Sequence, residues 1–247
     1  MDPLQMIAMQ YQSIMHMQYY FEIAKKQNMH KFILSFEKGD FFHLAGMHKL
    51  KDITEVQIER NRSVIFEKIL GGSISFKQIK DSIFYNDIEK RLFHLGNLQE
   101  LLDSNQIIFQ YIENRNKASC IKADYLLENA TKQDIVFVFL SERNKKISQD
   151  IPIMCCRSFF PMDQLDYTQN QPSYTLLKKI KIDTALGIKT VQYDRGKIID
   201  EAKNAPSEQE RRSIMQQLNE KKAQLAINEV LSERRAIQQK RQTPERS

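Results

Sequence analysis

The hydrophobic pattern of this 247-residue chain changes period once, near Asn105, and that change constrains its fold more than any other feature. Before it, apolar residues recur at helical intervals. Ile58, Ile65 and Ile69 are seven and four apart, and Ile88, Leu92, Leu95, Leu98 and Leu102 mark one face of a helix starting at Asn86 or Asp87. After it the period is that of strands: 107–113, 120–127, 135–141, 153–160 and 174–182 are short β-type runs separated by polar or proline-containing turns. Helices gathered in the first hundred residues and strands in the next eighty predict an α+β fold, with N-terminal helices packed on an antiparallel sheet, and not alternating βαβ units.

The flanks complete this outline. Met6, Met9, Ile14, Met17, Phe21 and Ala24 predict a helix over 6–27. Its Met-rich stripe reads first as a core face and second as a partner-binding surface. Phe32, Leu34 and Phe36 mark a short strand. Gly71-Gly72 ends a helix over 52–70, and Ser75 can cap one over 76–83. Beyond residue 183 the character shifts again: 190–199 reads as a short strand or extended segment, and a long polar helix starts at Ser207 and runs to about Gln239. Residues 207–247 hold nine Lys or Arg and six Glu, and Lys221 and Lys222 interrupt the apolar stripe, which excludes a self-sufficient coiled coil. The domain expectation is 1–183 as one α+β unit, with 184–247 as linker and basic helical tail.

Composition removes whole classes. Seven Gly and six Pro argue against collagen-like, low-complexity or turn-dense all-β chains, and three Cys exclude a disulfide framework and read as reduced thiols of a cytoplasmic protein. Apolar runs such as 135–140 are too short to span a bilayer, so no membrane contact is expected. A net charge of +6 is a modest bias towards polyanionic partners. No GxGxxG, GxxxxGK[ST], HExxH, paired CxxC or GxSxG motif is present, and the adjacent Cys155 and Cys156 cannot chelate together on a strand. Neither a metal nor any other cofactor is expected.

What remains is a set of polar clusters. The segment Phe41-Phe42-His43-Leu44-Ala45-Gly46-Met47-His48-Lys49-Leu50 is the densest mixture of aromatic, His and basic residues in the chain. His43 precedes Gly46, where backbone can approach a ligand, and imidazole suits acid–base work near neutral pH. By itself His43 reads first as a structural histidine. The five-residue spacing of His43 and His48 separates them, on opposite faces of a strand or by roughly 140° around a helix. Lys90, Arg91 and His94 form a second cluster, with Lys90 and His94 on one helix face. Arg157-Ser158 and Tyr174-Thr175 place polar groups at strand ends.

The segment from His43 to His48, the helical Arg91-Leu92, the strand over 135–140, and Cys156-Arg157-Ser158-Phe159-Phe160-Pro161 followed by Tyr174 together resemble the phage-associated Barnase–EndoU–Colicin–RelE-like nucleases, in particular the fourth phage-associated type. The resemblance spans roughly 28–183. It implies a helix-plus-antiparallel-sheet fold and metal-independent cleavage of RNA by a toxin-type enzyme of a mobile element or defence system. It also implies roles: His43 as acid or base, Arg91 as the cation on the phosphate, Ser158 as a donor to the phosphate, and Tyr174 as a stacking or proton-transfer group. His48, Lys49, Lys90 and Arg157 are then substrate-binding. An antitoxin or regulatory protein, or a second copy of the chain, is the expected partner of the C-terminal helix. Two other readings stay open: a non-catalytic interaction protein with a degenerate nuclease fold, and a nucleic-acid-binding structural protein without cleavage.

Overall fold

The computed structural model describes residues 1–105, 107–116, 119–131, 134–144, 150–163, 165–216 and 218. The first helix, α1 (Pro3–Ile14), is shorter than its sequence pattern predicts. Asp2 caps it, its carboxylate accepting from the amides of Leu4 and Gln5, and Pro3 supplies a helix-ready φ at the first turn. From Met17 the chain is extended as β1 (Met17–Lys25). The reason is local: Tyr19, Phe21 and Ile23 alternate with Tyr20, Glu22 and Ala24, and that aromatic, β-branched run buries one face at period two. The core face of α1 is Leu4, Ala8, Tyr11 and Ile14, whereas Met6 and Met9 are exposed, so the helix faces the core but not through its methionines.

β1 turns into β2 (Asn28–Leu34) through Lys26, whose φ is +55°. A helical layer follows: α2 (Asp40–Leu44), α3 (Thr54–Ile58), α4 (Arg62–Leu70), α5 (Phe76–Lys80), α6 (Glu89–Leu95) and α7 (Leu98–Ser104). The two long helices expected here are each broken. Extended backbone at Glu59 ends α3, Asn61 recaps α4, and Gly96-Asn97 separates α6 from α7. Ser75 and Gln78 form a reciprocal capping box at the start of α5.

The remaining strands are β3 (Ile107–Gln110), β4 (Tyr125–Ala130), β5 (Ile135–Glu142), β6 (Ile153–Pro161), β7 (Ser173–Asp183) and β8 (Ile188–Asp194). Their order is β1-β2-β6-β5-β4-β3-β7-β8, and β1 also pairs with β7. The first seven strands in that order therefore close into a barrel, and β2 pairs with β6 in parallel. This corrects the expected antiparallel sheet: the strands close on themselves and one pairing is parallel. The physical basis is the length of β7: one edge zips along β1 while the other carries β3 at its start and β8 at its end. Closure leaves few free edges.

Apolar side chains from the barrel interior and the helical layer merge into one core, including Phe21, Phe32, Phe41, Phe66 and Val138. A second, smaller core of Phe109, Tyr111, Phe137 and Phe139 lies on the outer face of β3, β4 and β5. Arg143, just after β5, ties the two layers: its guanidinium donates to Asp40 (2.7 Å) at the start of α2 and to the Ser35 carbonyl (3.1 Å).

The sheet continues past residue 183 with β8, followed by α8 (Arg195–Lys203), which packs on β7. Residues 208–216 are helical. The rest of the long C-terminal helix expected to about Gln239 lies outside the described residues.

Candidate active site

Three local structures build the site. The first is the turn after α2. Gly46 takes φ +74° and ψ 19°, the left-handed conformation that side chains disfavour, and the chain doubles back into a 3₁₀ turn, Met47–Lys49. This reversal brings the rings of His43 and His48 to 5.8 Å centroid separation. The sequence spacing predicted their separation; a single left-handed glycine overturns it. Phe42 lies against both imidazoles, at 5.4 Å and 6.4 Å, and the Arg62 guanidinium sits 3.9 Å over the Phe42 ring. His43 is half-buried and His48 is exposed. Burial, followed by the fields of Arg157 and Arg62, holds the His43 pKa below the usual range, against an opposing pull from Asp40. Burial, Arg91, His43 and Lys49 push His48 down to about 4. Both rings are therefore neutral near pH 7.

The second structure is α6. It presents Arg91, only 9% exposed, to a cleft whose volume is about 670 Å³. The guanidinium lies 4.9 Å over the Phe160 ring, and its Nη1 is buried without a hydrogen-bond partner among the described residues. Burial lowers the Arg91 pKa to about 10, partly offset by Tyr167 and Asp87. A cation this deep normally has its donors satisfied. Lys49 and the exposed Lys90 line the same side of the cleft, and Lys49 Nζ reaches the Asp87 carbonyl at 3.4 Å. Lys49 is itself lowered, first by burial and then by Arg91. His94, expected on the face of Lys90, is instead buried with its Nε2 3.1 Å from Asp134.

The third is a bulge in β6. Phe139 pairs with Ser158 and Leu140 with Cys156, so Arg157 is the extra residue. Met154, Cys156 and Phe159 point into the core. The bulge lets Arg157 point to solvent and turns Ser158 and Phe160 together onto the cleft. Ile121, Leu165 and Tyr167 also line the cleft, with Asp87 and Asp163.

The fold thus gathers His48, Lys49, Lys90, Arg91 and Ser158 at one cleft. His43 stands behind His48, and Arg157 is close enough for its charge to act on His43. Tyr174 is elsewhere: 4% exposed, its ring packs against His30 at 5.4 Å and Tyr125 at 5.8 Å in the main core. The tyrosine that does reach the cleft is Tyr167, in the polar segment after β6 that sequence reading passed over as a turn. An aromatic residue between Pro161 and Pro172 was the available signal. Among the described residues no three His, Cys, Asp or Glu side chains gather into a metal-binding group. No described helix is long and apolar enough to cross a membrane.

A neutral imidazole, a recessed guanidinium, an ammonium and a hydroxyl around one cleft can bind a phosphodiester and move protons at it. No curated protein and no solved structure matches this chain. One family does: its model matches residues 3–196, which include the Gly46 turn, α6 and the β6 bulge. By that match the chain belongs to the phage-Barnase-EndoU-ColicinE5/D-RelE like nuclease 4 family.

Proposed function

We propose that the protein is an endoribonuclease of toxin type whose chemistry needs no metal. The observation that carries this reading is Arg91, a buried guanidinium whose Nη1 has no partner among the described residues, on the wall of a cleft that also holds a neutral histidine. Such a group is completed by an anion, and a phosphodiester oxygen fits it. His48, neutral at working pH, takes the proton of a ribose 2′-hydroxyl. That oxygen bonds to phosphorus, the bond to the 5′-oxygen breaks, and Lys49 supplies the proton to the leaving oxygen. Arg91 and the Ser158 hydroxyl hold the charge that gathers on the non-bridging oxygens, and His43 positions His48. The products are a 2′,3′-cyclic phosphate and a 5′-hydroxyl. DNA, lacking the 2′-hydroxyl, is not cut by this route.

The test is cleavage of a labelled RNA with and without EDTA, alongside His48→Ala and Arg91→Ala. The expected result is cyclic-phosphate ends that persist in EDTA and vanish in both variants. Activity abolished by chelation and restored by a divalent ion overturns the metal-free part. For the toxin role, induced expression of the wild type should arrest growth of a bacterial host, and Arg91→Ala should not. The interaction role expected of the C-terminal helix is also a proposal, tested by truncation before Ser207 and measurement of self-association.

A further inference from the structure

Arg62 stands where its own helix disfavours a cation. It is the first residue of α4, directly after the Asn61 cap, and that first turn holds no acidic side chain. A helix N-terminus carries partial positive charge, so a cation there is repelled and a carboxylate is the favoured residue. Among the described residues no carboxylate pairs with Arg62 to offset this. A local rule broken in this way points to a role elsewhere in the fold.

The guanidinium is directed at the histidine pair. Its Nη1 donates to the Glu59 carbonyl at 3.0 Å, an acceptor set free where extended backbone at Glu59 ends α3. That bond helps to hold Cζ 3.9 Å over the Phe42 ring, well inside cation–π range. Phe42 is 1% exposed and lies against both imidazoles, 5.4 Å from His43 and 6.4 Å from His48 between ring centroids. One buried phenyl ring therefore links Arg62 to both histidines. Arg62 does not line the cleft, so it acts on the pair and not on what the cleft binds. Other charges face the pair as well. Arg157 from β6 and Asp40 from α2 act on His43, whereas Arg91 from α6, Lys49 and His43 act on His48. Asp40 is taken up by Arg143 at 2.7 Å. Among these groups Arg62 is the cation that acts on both rings. Positive charge beside an imidazole opposes its protonation.

Resting on the nuclease reading above, in which His48 takes the proton, we infer that Arg62 is a positioning residue of the histidine pair: stacked on Phe42, it sets a fixed positive charge beside both imidazoles. A base must be free of its proton before it can accept one, and Arg62 widens the pH range in which the rings are free.

The experiment titrates the five histidines of the full chain by NMR on isotope-labelled protein, with His43→Asn and His48→Asn assigning the pair. Arg62→Gln and Arg62→Met remove the charge, and Arg62→Lys keeps it. Each neutral variant should raise the midpoints of His43 and His48 together by about 0.5 in pH, the effect of one screened charge at close range. His16, His30 and His94 should not move, and Arg62→Lys should stay near the wild type. The acid limb of RNA cleavage should rise by the same amount in the neutral variants. Unmoved midpoints in a folded neutral variant overturn the role, whether or not RNA is cut. So does an Arg62→Lys protein shifted as far as the neutral ones, because the change then follows lost packing and not lost charge. Two neutral variants are used so that one unfolded protein leaves the other informative; if neither folds, Arg62 is a structural residue and the role falls. Raised midpoints in a protein whose wild type cuts no RNA uphold the role on the pair and overturn the nuclease reading instead.

Discussion

A Cβ at position 46 would lie 3.0 Å from Cδ of Arg91 and 2.9 Å from Cγ2 of Ile88. Gly46 is thus required twice, by its φ of +74° and by the closeness of α6. The same residue that folds His48 back towards His43 also leaves room for the Arg91 stem. Gly46→Ala should cost about 1–3 kcal/mol in stability, from the disfavoured backbone and the contact with α6. RNA cleavage should fall further than the folded fraction does, because Arg91 must shift. Urea denaturation beside a cleavage assay separates the two effects. A variant with full activity per folded molecule would show that the placement of Arg91 is not critical.

Arg91 itself should behave in the opposite way. Replacing a buried guanidinium that has an unpaired nitrogen by an apolar chain of similar length relieves desolvation. Arg91→Met is expected to leave the melting temperature unchanged or to raise it. Cleavage should drop by about 10²–10³, the range for loss of one preorganised donor at a developing oxyanion. A strongly destabilised Arg91→Met protein would mark the arginine as a structural residue.

The histidine pair predicts a pH window. His48 titrates near 4 when folded, against 6.5 ordinarily, and His43 is shifted in the same direction. Between those values the unfolded chain binds more protons than the folded one, so stability rises with pH across the window and is lost as pH falls from about 6.5 to about 4. His48→Gln should flatten this slope. The acid limb of the wild-type kcat/KM profile should follow protonation of His48 and lie near pH 4, well below that of an ordinary histidine. An acid limb at 6.5 would show that the surroundings do not depress His48, and full activity in His48→Gln would remove it as the base.

Much of the fold was legible because the period of the apolar residues carries it. The strands 135–141, 153–160 and 174–182 match β5, β6 and β7 closely, and Ser75 caps its helix as its capping chemistry predicts. Features that depend on partners distant in sequence were not legible. Nothing in β1 or β7 alone reveals that they pair and close the barrel. Two bulges also reverse the alternation mid-strand. In β6 the extra Arg157 turns Ser158 onto the cleft; in β7 the register slips at Leu177, so that Lys179 points inward, where simple alternation from Leu176 would have put Lys178 and Ile180 inward instead. Arg91 was picked out from its motif, but its burial and unpaired nitrogen follow from Phe160, almost seventy residues away. Tyr174 owes its expected role to the family resemblance, and the same alternation that makes the strand turns it into the core.

Lys179 gives the last prediction. It is 1% exposed, lies 5.8 Å from the ring centroids of Tyr19 and Phe21, and sends its ammonium to the end of α7. There it donates to the carbonyls of Leu102, Asp103 (2.9 Å) and Asn105 (3.0 Å). These are carbonyls that a helix end leaves without intrahelical partners, and a cation is the favoured cap for them. The contact therefore pins the helical layer to the barrel at β7. Lys179→Met keeps the stem but leaves those buried acceptors without their donor, at a cost of about 1–3 kcal/mol for each group left unsatisfied. The combined loss should amount to several kcal/mol, visible as a large drop in the urea midpoint at low temperature. Activity per folded molecule should be unchanged, because Lys179 does not line the cleft. A midpoint within experimental scatter of the wild type would mean that water replaces the ammonium at the helix end and that apolar packing, with polar links such as Arg143 to Asp40, is enough to hold the layers together.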